Sequence, residues 1–268
     1  MEANISRLSY PDDSLDRGLL YAEACFETLR VVHGTVFRWS EHEARLARGL
    51  AQFGLSCPAD LLSRCLQAAG KTGDDALVRL TVSGGNSQRG LLPENTRQPQ
   101  VHVQAWPYRQ PIQAMHLRTL PWPLGGMARN AKFTADYAAT IRLLHQARHN
   151  GLLGEDEQAL FTRDGEVLAM ETANILLHVD GRWLSPTSDA VLPGVIRAAL
   201  RDAGCIELAF CPLDWLAICD ALAICNSGCF VRAVASVNGR RLATAGHCFD
   251  ALLAAFRGES GVPERICV

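Results

Sequence analysis

Lysine is almost missing from this 268-residue chain: of its 26 basic side chains only Lys71 and Lys132 are lysines, and all the others are arginines. Arginine holds its proton under all ordinary conditions, whereas a desolvated lysine can act as a neutral amine nucleophile. A chain that has drifted so far towards arginine keeps a lysine where that chemistry is wanted. Lys71 lies in GKTGDD between Gly70 and Gly73, a polar turn where a solvated charge is expected. Lys132 lies in GGMARNAKFTADYAATI, between a glycine-proline stretch and a helical pattern, and is the candidate reactive amine.

Other scarcities exclude whole classes. No basic cluster interleaves with aromatics, so nothing reads as a nucleic-acid footprint, and the net charge is only −2. No apolar run is long enough to span a bilayer. The start, MEANISRLSYPDDSLDRG, lacks a charged head followed by an apolar stretch, so no secretory leader is expected and a cytoplasmic setting is. Ten cysteines are present, but none shows CxxC spacing; Cys225 and Cys229 come nearest. Reduced, mostly buried thiols are expected, with no structural zinc and no disulfide framework.

Strand and helix signals alternate throughout, which predicts an α/β (α+β) protein. The expected division is an N-terminal lobe over 1–108, a connection over 109–125 and a C-terminal lobe over 126–268. CFETLRVVHGTVFRW predicts two strands around a His33-Gly34 turn. Ser40 with Glu43 predicts a capping box opening an amphipathic helix, with Leu46, Leu50 and Phe53 on its apolar face and His42, Arg45 and Gly49 on another. ADLLSRCLQAAG predicts a second helix. ALVRLTVS and QVHVQAW alternate with period two, as half-buried strands do. The polar loop between them, SGGNSQRGLLPENTRQP, is long enough to suggest a function. In the second half, FTADYAATIRLLHQARHNG, LPGVIRAALRDAG and HCFDALLAAFRG predict helices, and QALFT, ANILLH, ALAICNS and FVRAVASV predict strands.

LPGVIR, residues 192–197, places Gly194 and the free amides of Val195 and Ile196 at a helix start, which suits an anion. NSG, residues 226–228, offers the Ser227 hydroxyl at the end of a strand, and Arg45 supplies a fork of donors. One special amine with three anion-binding elements describes a phosphorylated aldehyde cofactor such as pyridoxal phosphate.

On these motifs, from DRGLLYAEACFETLRV to the C-terminal strands, the chain resembles the two-lobed fold-type IV pyridoxal-phosphate enzymes. That family includes branched-chain and D-amino-acid aminotransferases and 4-amino-4-deoxychorismate lyase. NAKFTADY is similar to the segment that carries the Schiff-base lysine, with Asp136-Tyr137 where Asn-Tyr is usual. The resemblance assigns the cofactor phosphate to Arg45, the Gly194, Val195 and Ile196 helix start, and Ser227. It assigns substrate binding to Arg89 and, on the CFETLRV strand, to Glu27 and Arg30. It implies pyridoxal phosphate, a homodimer and an amino-acid-like substrate.

Several positions depart from the family pattern. Ala22, Glu23 and Ala24 replace Gly-Asp-Gly, and Ile196 replaces a threonine. The glutamate that meets the pyridine nitrogen falls at Ala169, five residues before Asn174. Glu171 shares a strand face with that position, about 6.6 Å further along, and is the candidate replacement. The short chain, RGLLP and the NS turn lean towards the lyase, with a D-amino-acid or branched-chain aminotransferase as the alternative. A repurposed protein without standard pyridoxal chemistry is the remaining expectation.

Overall fold

The computed structural model describes residues 15–93, 98–125 and 129–266; residues 1–14, read above for a leader, lie outside the described residues. Two sheets organise the chain. The smaller is antiparallel, in the order Thr35–Val36, Ala24–Val32, Asp75–Ser83, Gln100–Pro107. Along Asp75–Ser83 buried and half-buried residues alternate, so Ala76, Val78, Leu80 and Val82 go inward, as the period-two pattern requires. The helices Trp39–Gln52 and Leu61–Ala69 cover that inner face through Leu46, Leu50, Leu61 and Cys65. His33 and Gly34 form the tight turn with positive φ at both positions (47° and 73°), which matches the twist of the strands they join.

The larger sheet has ten strands and runs from His116–Pro121 to Arg240–Arg241. The hairpin Glu166–Met170/Asn174–Val179 lies near its middle, and Ala221–Asn226 pairs with Asn174–Val179 and Phe230–Ala233. One face packs on the helices Val195–Asp202 and His247–Ala254 through Ile196, Leu200, Phe249 and Leu252. Every position of Asn174–Val179 and nearly every one of Ala221–Asn226 is buried, so these strands read as continuous apolar runs.

Two expectations are corrected. The Trp39–Gln52 helix starts one residue before Ser40, with Arg38 at its N-cap and no side-chain capping bond. Ser40 is therefore inside the first turn, and Arg38 instead reaches Glu41 at 2.9 Å. The proline-rich stretch after residue 108 also contains more than a connection. His116–Pro121 pairs in parallel with Glu157–Arg163 and is integral to the larger sheet.

The two sheets meet through hydrogen bonds that converge on one place. The Phe26 amide donates to the Lys132 carbonyl (3.0 Å) and the Thr134 amide to the Ala24 carbonyl (3.1 Å). Arg45 Nη1 donates to the Pro193 carbonyl (2.8 Å) and Arg30 Nη1 to the Gly228 carbonyl (2.9 Å). Gly49 permits the close approach of helix and lysine segment: a Cβ there would stand 2.8 Å from both Ala131 Cβ and Cys25 Sγ.

Candidate functional site

At this junction lies a cavity of about 300 Å³. Lys132, Arg129, Asp136 and Tyr137 enter it from the segment that opens the Asp136–His149 helix. Gly194, Val195 and Ile196 form one wall, Asn226, Ser227 and Gly228 a second, and the Ala169–Asn174 hairpin a third. Of the residues predicted from the sequence, Lys132, Arg45, Glu171, Gly194, Val195, Ile196 and Ser227 are thus brought together.

The Lys132 amine is buried among charged neighbours. Burial pushes its pKa down from 10.5 to about 8; the Glu27 carboxylate opposes the shift, while Arg45, Arg129 and Arg79 reinforce it. The Nζ stands 5.4 Å from the Phe26 ring, which stacks on Tyr137 at 5.2 Å. An amine with a pKa near 8 is neutral often enough to attack a carbonyl and to return a proton.

Arg45 is fixed by a buried carboxylate. Its Nε donates to Glu27 Oε1 at 2.7 Å and its Nη2 to Glu27 Oε2 at 2.6 Å. His42 Nδ1 shares Oε2 at 2.8 Å, and His42 Nε2 lies 3.4 Å from Ser227 Oγ. Burial alone would raise the Glu27 pKa, but the hydrogen bonds and charge of Arg45, joined by His42, hold it at about 2. Burial lowers the His42 pKa, against the pull of Glu27. The ring is then neutral, with Nδ1–H donating to Glu27 and Nε2 free to accept from Ser227.

The helix start at Val195 is shaped for close approach. Gly194 is its N-cap, in extended conformation, and no side chain caps the first turn. The amides of Val195 and Ile196 are therefore open at the positive end of the helix dipole. Asn174 Nδ2 donates to the Leu192 carbonyl at 2.9 Å, and a Cβ on Gly194 would fall 2.1 Å from Asn174 Oδ1. Gly194→Ala should therefore displace Asn174, weaken phosphate binding and cost about 1–3 kcal/mol of stability. Denaturant unfolding alongside a phosphate titration checks it; unchanged values for both would contradict this account.

Three predicted residues stand elsewhere. Glu27 is fully buried behind Arg45, so its carboxylate serves the arginine. Arg30 is paired with Asp75 at 2.6 Å and lies over the Tyr108 ring at 3.6 Å. Arg89 is exposed in its loop. None of the three lines the cavity. Glu171 does, but its Oε1 accepts from the Ala159 amide at 2.8 Å, in place of a ladder bond. Ala169 lines the same wall without a polar group.

The sequence reading passed over Arg129 and gave no part to His42 or Asn174. His42 carried a signal, lying three residues before Arg45 on one helix face. Arg129 and Asn174 owe their places to tertiary contacts.

Comparison with known proteins gives a consistent result. The family model described as "Amino-transferase class IV" matches residues 24–237. A Methanocaldococcus jannaschii protein named "Putative branched-chain-amino-acid aminotransferase" is 26% identical over 194 residues, 68% of this chain. The match spans 65% of that relative's length. Among solved structures, the chain is similar to a "Putative 4-amino-4-deoxychorismate lyase" from Legionella pneumophila, with 22% identity and a TM-score of 0.72 over 95% of this chain and 96% of that one. It is similar to the branched-chain amino acid aminotransferase of Escherichia coli, with 20% identity and a TM-score of 0.74 over 94% and 90%. A hypothetical aminotransferase from Mycobacterium tuberculosis in its PLP-bound form gives 22% and 0.70 over 95% of both chains.

Proposed function

Because this chain belongs to the class IV aminotransferase family, we propose that it is a pyridoxal-phosphate enzyme that acts at the amine-bearing carbon of an amino-acid-like substrate, as a 4-amino-4-deoxychorismate lyase. The observation that carries the cofactor reading is the convergence, on one cavity, of a pKa-lowered lysine, a pinned arginine and an open helix start.

The residues present fit the phosphate and aldehyde ends of that group. A glycine stands where a Cβ would collide, two amides are open, and Arg45 is held rigidly beside them. Lys132 would hold the aldehyde, and Val195, Ile196, Ser227 and Arg45 would hold the phosphate. When bound, the cofactor's ring draws electrons from the substrate carbon. Lys132 then takes the proton from that carbon and returns it, its pKa near 8 suiting both directions near neutrality. The Phe26 ring, stacked on Tyr137, covers the amine on one side.

Ala169 supports the lyase over a transaminase. Ala169 would offer no carboxylate to a bound ring, a deficit worth on the order of 10²–10³ in rate by analogy with one missing charge-stabilising group. A lyase that forms 4-aminobenzoate gains aromaticity as the proton and the enolpyruvyl group, released as pyruvate, both leave the ring, so it would depend less on that withdrawal. Glu171, tied to the Ala159 amide, is the nearest replacement along the hairpin. The same observations favour a second reading, a family member that has kept the fold and set aside the standard chemistry.

A homodimer belongs to the proposal. Leu19, Leu91 and Leu92 are strongly exposed, and Arg17 ties their segments together through the Gly90 and Leu91 carbonyls. Exposed leucines on neighbouring segments suit burial against a second copy. As for location, no helix among the described residues is long and apolar enough to cross a membrane.

Incubation with 4-amino-4-deoxychorismate tests the reading, and release of pyruvate and 4-aminobenzoate is expected. Turnover of alanine or leucine with 2-oxoglutarate, and none of the first substrate, would make it a transaminase. A colourless protein that takes up no pyridoxal phosphate would leave the second reading.

A further inference from the structure

Among the arginines around the cavity, one has an ion-pair neighbour but no side-chain hydrogen bond among the described residues. Arg129 lines the cavity three residues before Lys132, and its Nε is buried with no hydrogen-bond acceptor among the described residues. The nearest carboxylate oxygen, Asp136 Oδ2, is 3.6 Å away, beyond hydrogen-bonding distance. The backbone is nonetheless held, since the Arg129 amide donates to the Asp189 carbonyl at 2.8 Å. The guanidinium carbon stands 5.6 Å from the Trp122 ring centroid, so one face is backed by an indole. Buried donors in folded proteins are almost always satisfied, and a cavity-lining guanidinium that makes no side-chain hydrogen bond among the described residues points to a missing acceptor.

The competing cations are committed. Arg45 makes three hydrogen bonds, to Glu27 and the Pro193 carbonyl. Arg30 is held by Asp75 and the Gly228 carbonyl. Arg79 lies 4.0 Å over the Phe26 ring and does not line the cavity. Arg89 is exposed. Asp136 is close enough to keep Arg129 charged yet too far to saturate it.

We propose that Arg129 is the group that receives a carboxylate of the substrate, presenting its planar donor edge to two carboxylate oxygens while Lys132 works on the amine-bearing carbon. The inference rests on the functional reading above and extends it to substrate class: an anionic amine in preference to a neutral one. A carboxylate is favoured over the cofactor phosphate because Arg45, two amides and Ser227 already serve the phosphate. Planar, bidentate recognition of this kind is where arginine outperforms lysine.

Arg129→Met and Arg129→Lys test it in the pyridoxal-phosphate-loaded protein. Three quantities are measured: the affinity for pyridoxal phosphate by absorbance titration, the dissociation constant of maleate from its effect on the visible band, and that of benzylamine, an amine without a carboxylate. Arg129→Met is expected to weaken maleate by about 10–100-fold, the range for a hydrogen-bonded charge pair. Arg129→Lys should recover part of that loss, while the cofactor and benzylamine constants stay within about twofold. Unchanged maleate binding, or a loss confined to cofactor affinity, would overturn the proposal; the latter would put Arg129 on the phosphate. Thermal melts of both variants exclude unfolding as the cause. A wild-type protein that takes up no cofactor sinks the parent reading instead. Maleate titrated by calorimetry into the cofactor-free protein and into Arg129→Met then decides Arg129 separately, equal binding to the two counting against it.

Discussion

Lys132→Ala is expected to abolish turnover and to leave no borohydride-trappable label on the protein, while phosphate binding survives. The reason lies in the division of the cavity. The amine comes from the segment leading into the Asp136–His149 helix, whereas the anion-binding groups come from the Trp39–Gln52 helix, the Val195–Asp202 helix start and the 226–228 turn. Truncating the lysine leaves Arg45 bonded to Glu27 and the Gly194 cradle intact. Folding should not suffer, because removing an amine desolvated enough to lower its pKa relieves an electrostatic cost. The wild-type amine also supplies a pH signature. With a pKa of about 8, roughly a tenth of it is neutral at pH 7, against about one part in several thousand for an ordinary lysine. The rate of aldehyde uptake should therefore climb with pH and level off above about 8. Lys71, exposed in its turn, is no part of the cavity and is expected to carry no such label. Mass spectrometry after borohydride reduction, run across pH, reads both claims; a label on Lys71 with Lys132 untouched would reverse the assignment.

What the sequence disclosed depended on whether a signal was local. LPGVIR could be read because open amides at a helix start are a property of consecutive residues, and the structure places Gly194, Val195 and Ile196 on the cavity wall. The His33-Gly34 turn and the Leu61–Ala69 helix were equally local. The strand Glu166–Met170 escaped, since EVLAM is a short, wholly buried run with no alternation to separate it from a loop. The strand-like segment within the proline-rich stretch was legible, but not its place in the larger sheet, because the partners of His116–Pro121 are about forty and a hundred and twenty residues away. Glu27 was recognised as a site residue but aimed at the substrate. Its true neighbours, Arg45 and His42, come from the next helix, and only the packing of that helix on the strand brings them within 2.8 Å. Arg129 gave no sign at all, because an unpaired donor is defined by what surrounds it.

The second large effect belongs to that buried carboxylate. Glu27→Gln is expected to cost about 3–5 kcal/mol of stability, the range for leaving one partner of a buried ion pair alone. Glu27 is 0% exposed and Arg45 2% exposed, so water is in no position to replace the lost charge. The amide keeps one acceptor but turns an NH₂ towards Arg45 or His42, both of which donate at this site. The wild-type pH dependence follows from the same pair. Glu27 has a folded-state pKa of about 2 against an ordinary value of 4.5. Its contribution is thus complete above pH 4.5 and is lost as pH falls through about 2. The limb amounts to about 3 kcal/mol at one pKa unit per 1.36 kcal/mol. Glu27→Gln should lack it, giving a flatter acid profile from a lower plateau. Glu27→Gln combined with Arg45→Met should recover much of the loss, since replacing both members of a buried pair costs far less than orphaning one. That double variant would nonetheless bind pyridoxal phosphate poorly, having lost the arginine itself. Urea unfolding from pH 2 to pH 7 on the three proteins separates the outcomes. A Glu27→Gln stability within about 1 kcal/mol of wild type would mean that Arg45 finds another acceptor, and that its rigidity at the phosphate site does not come from Glu27.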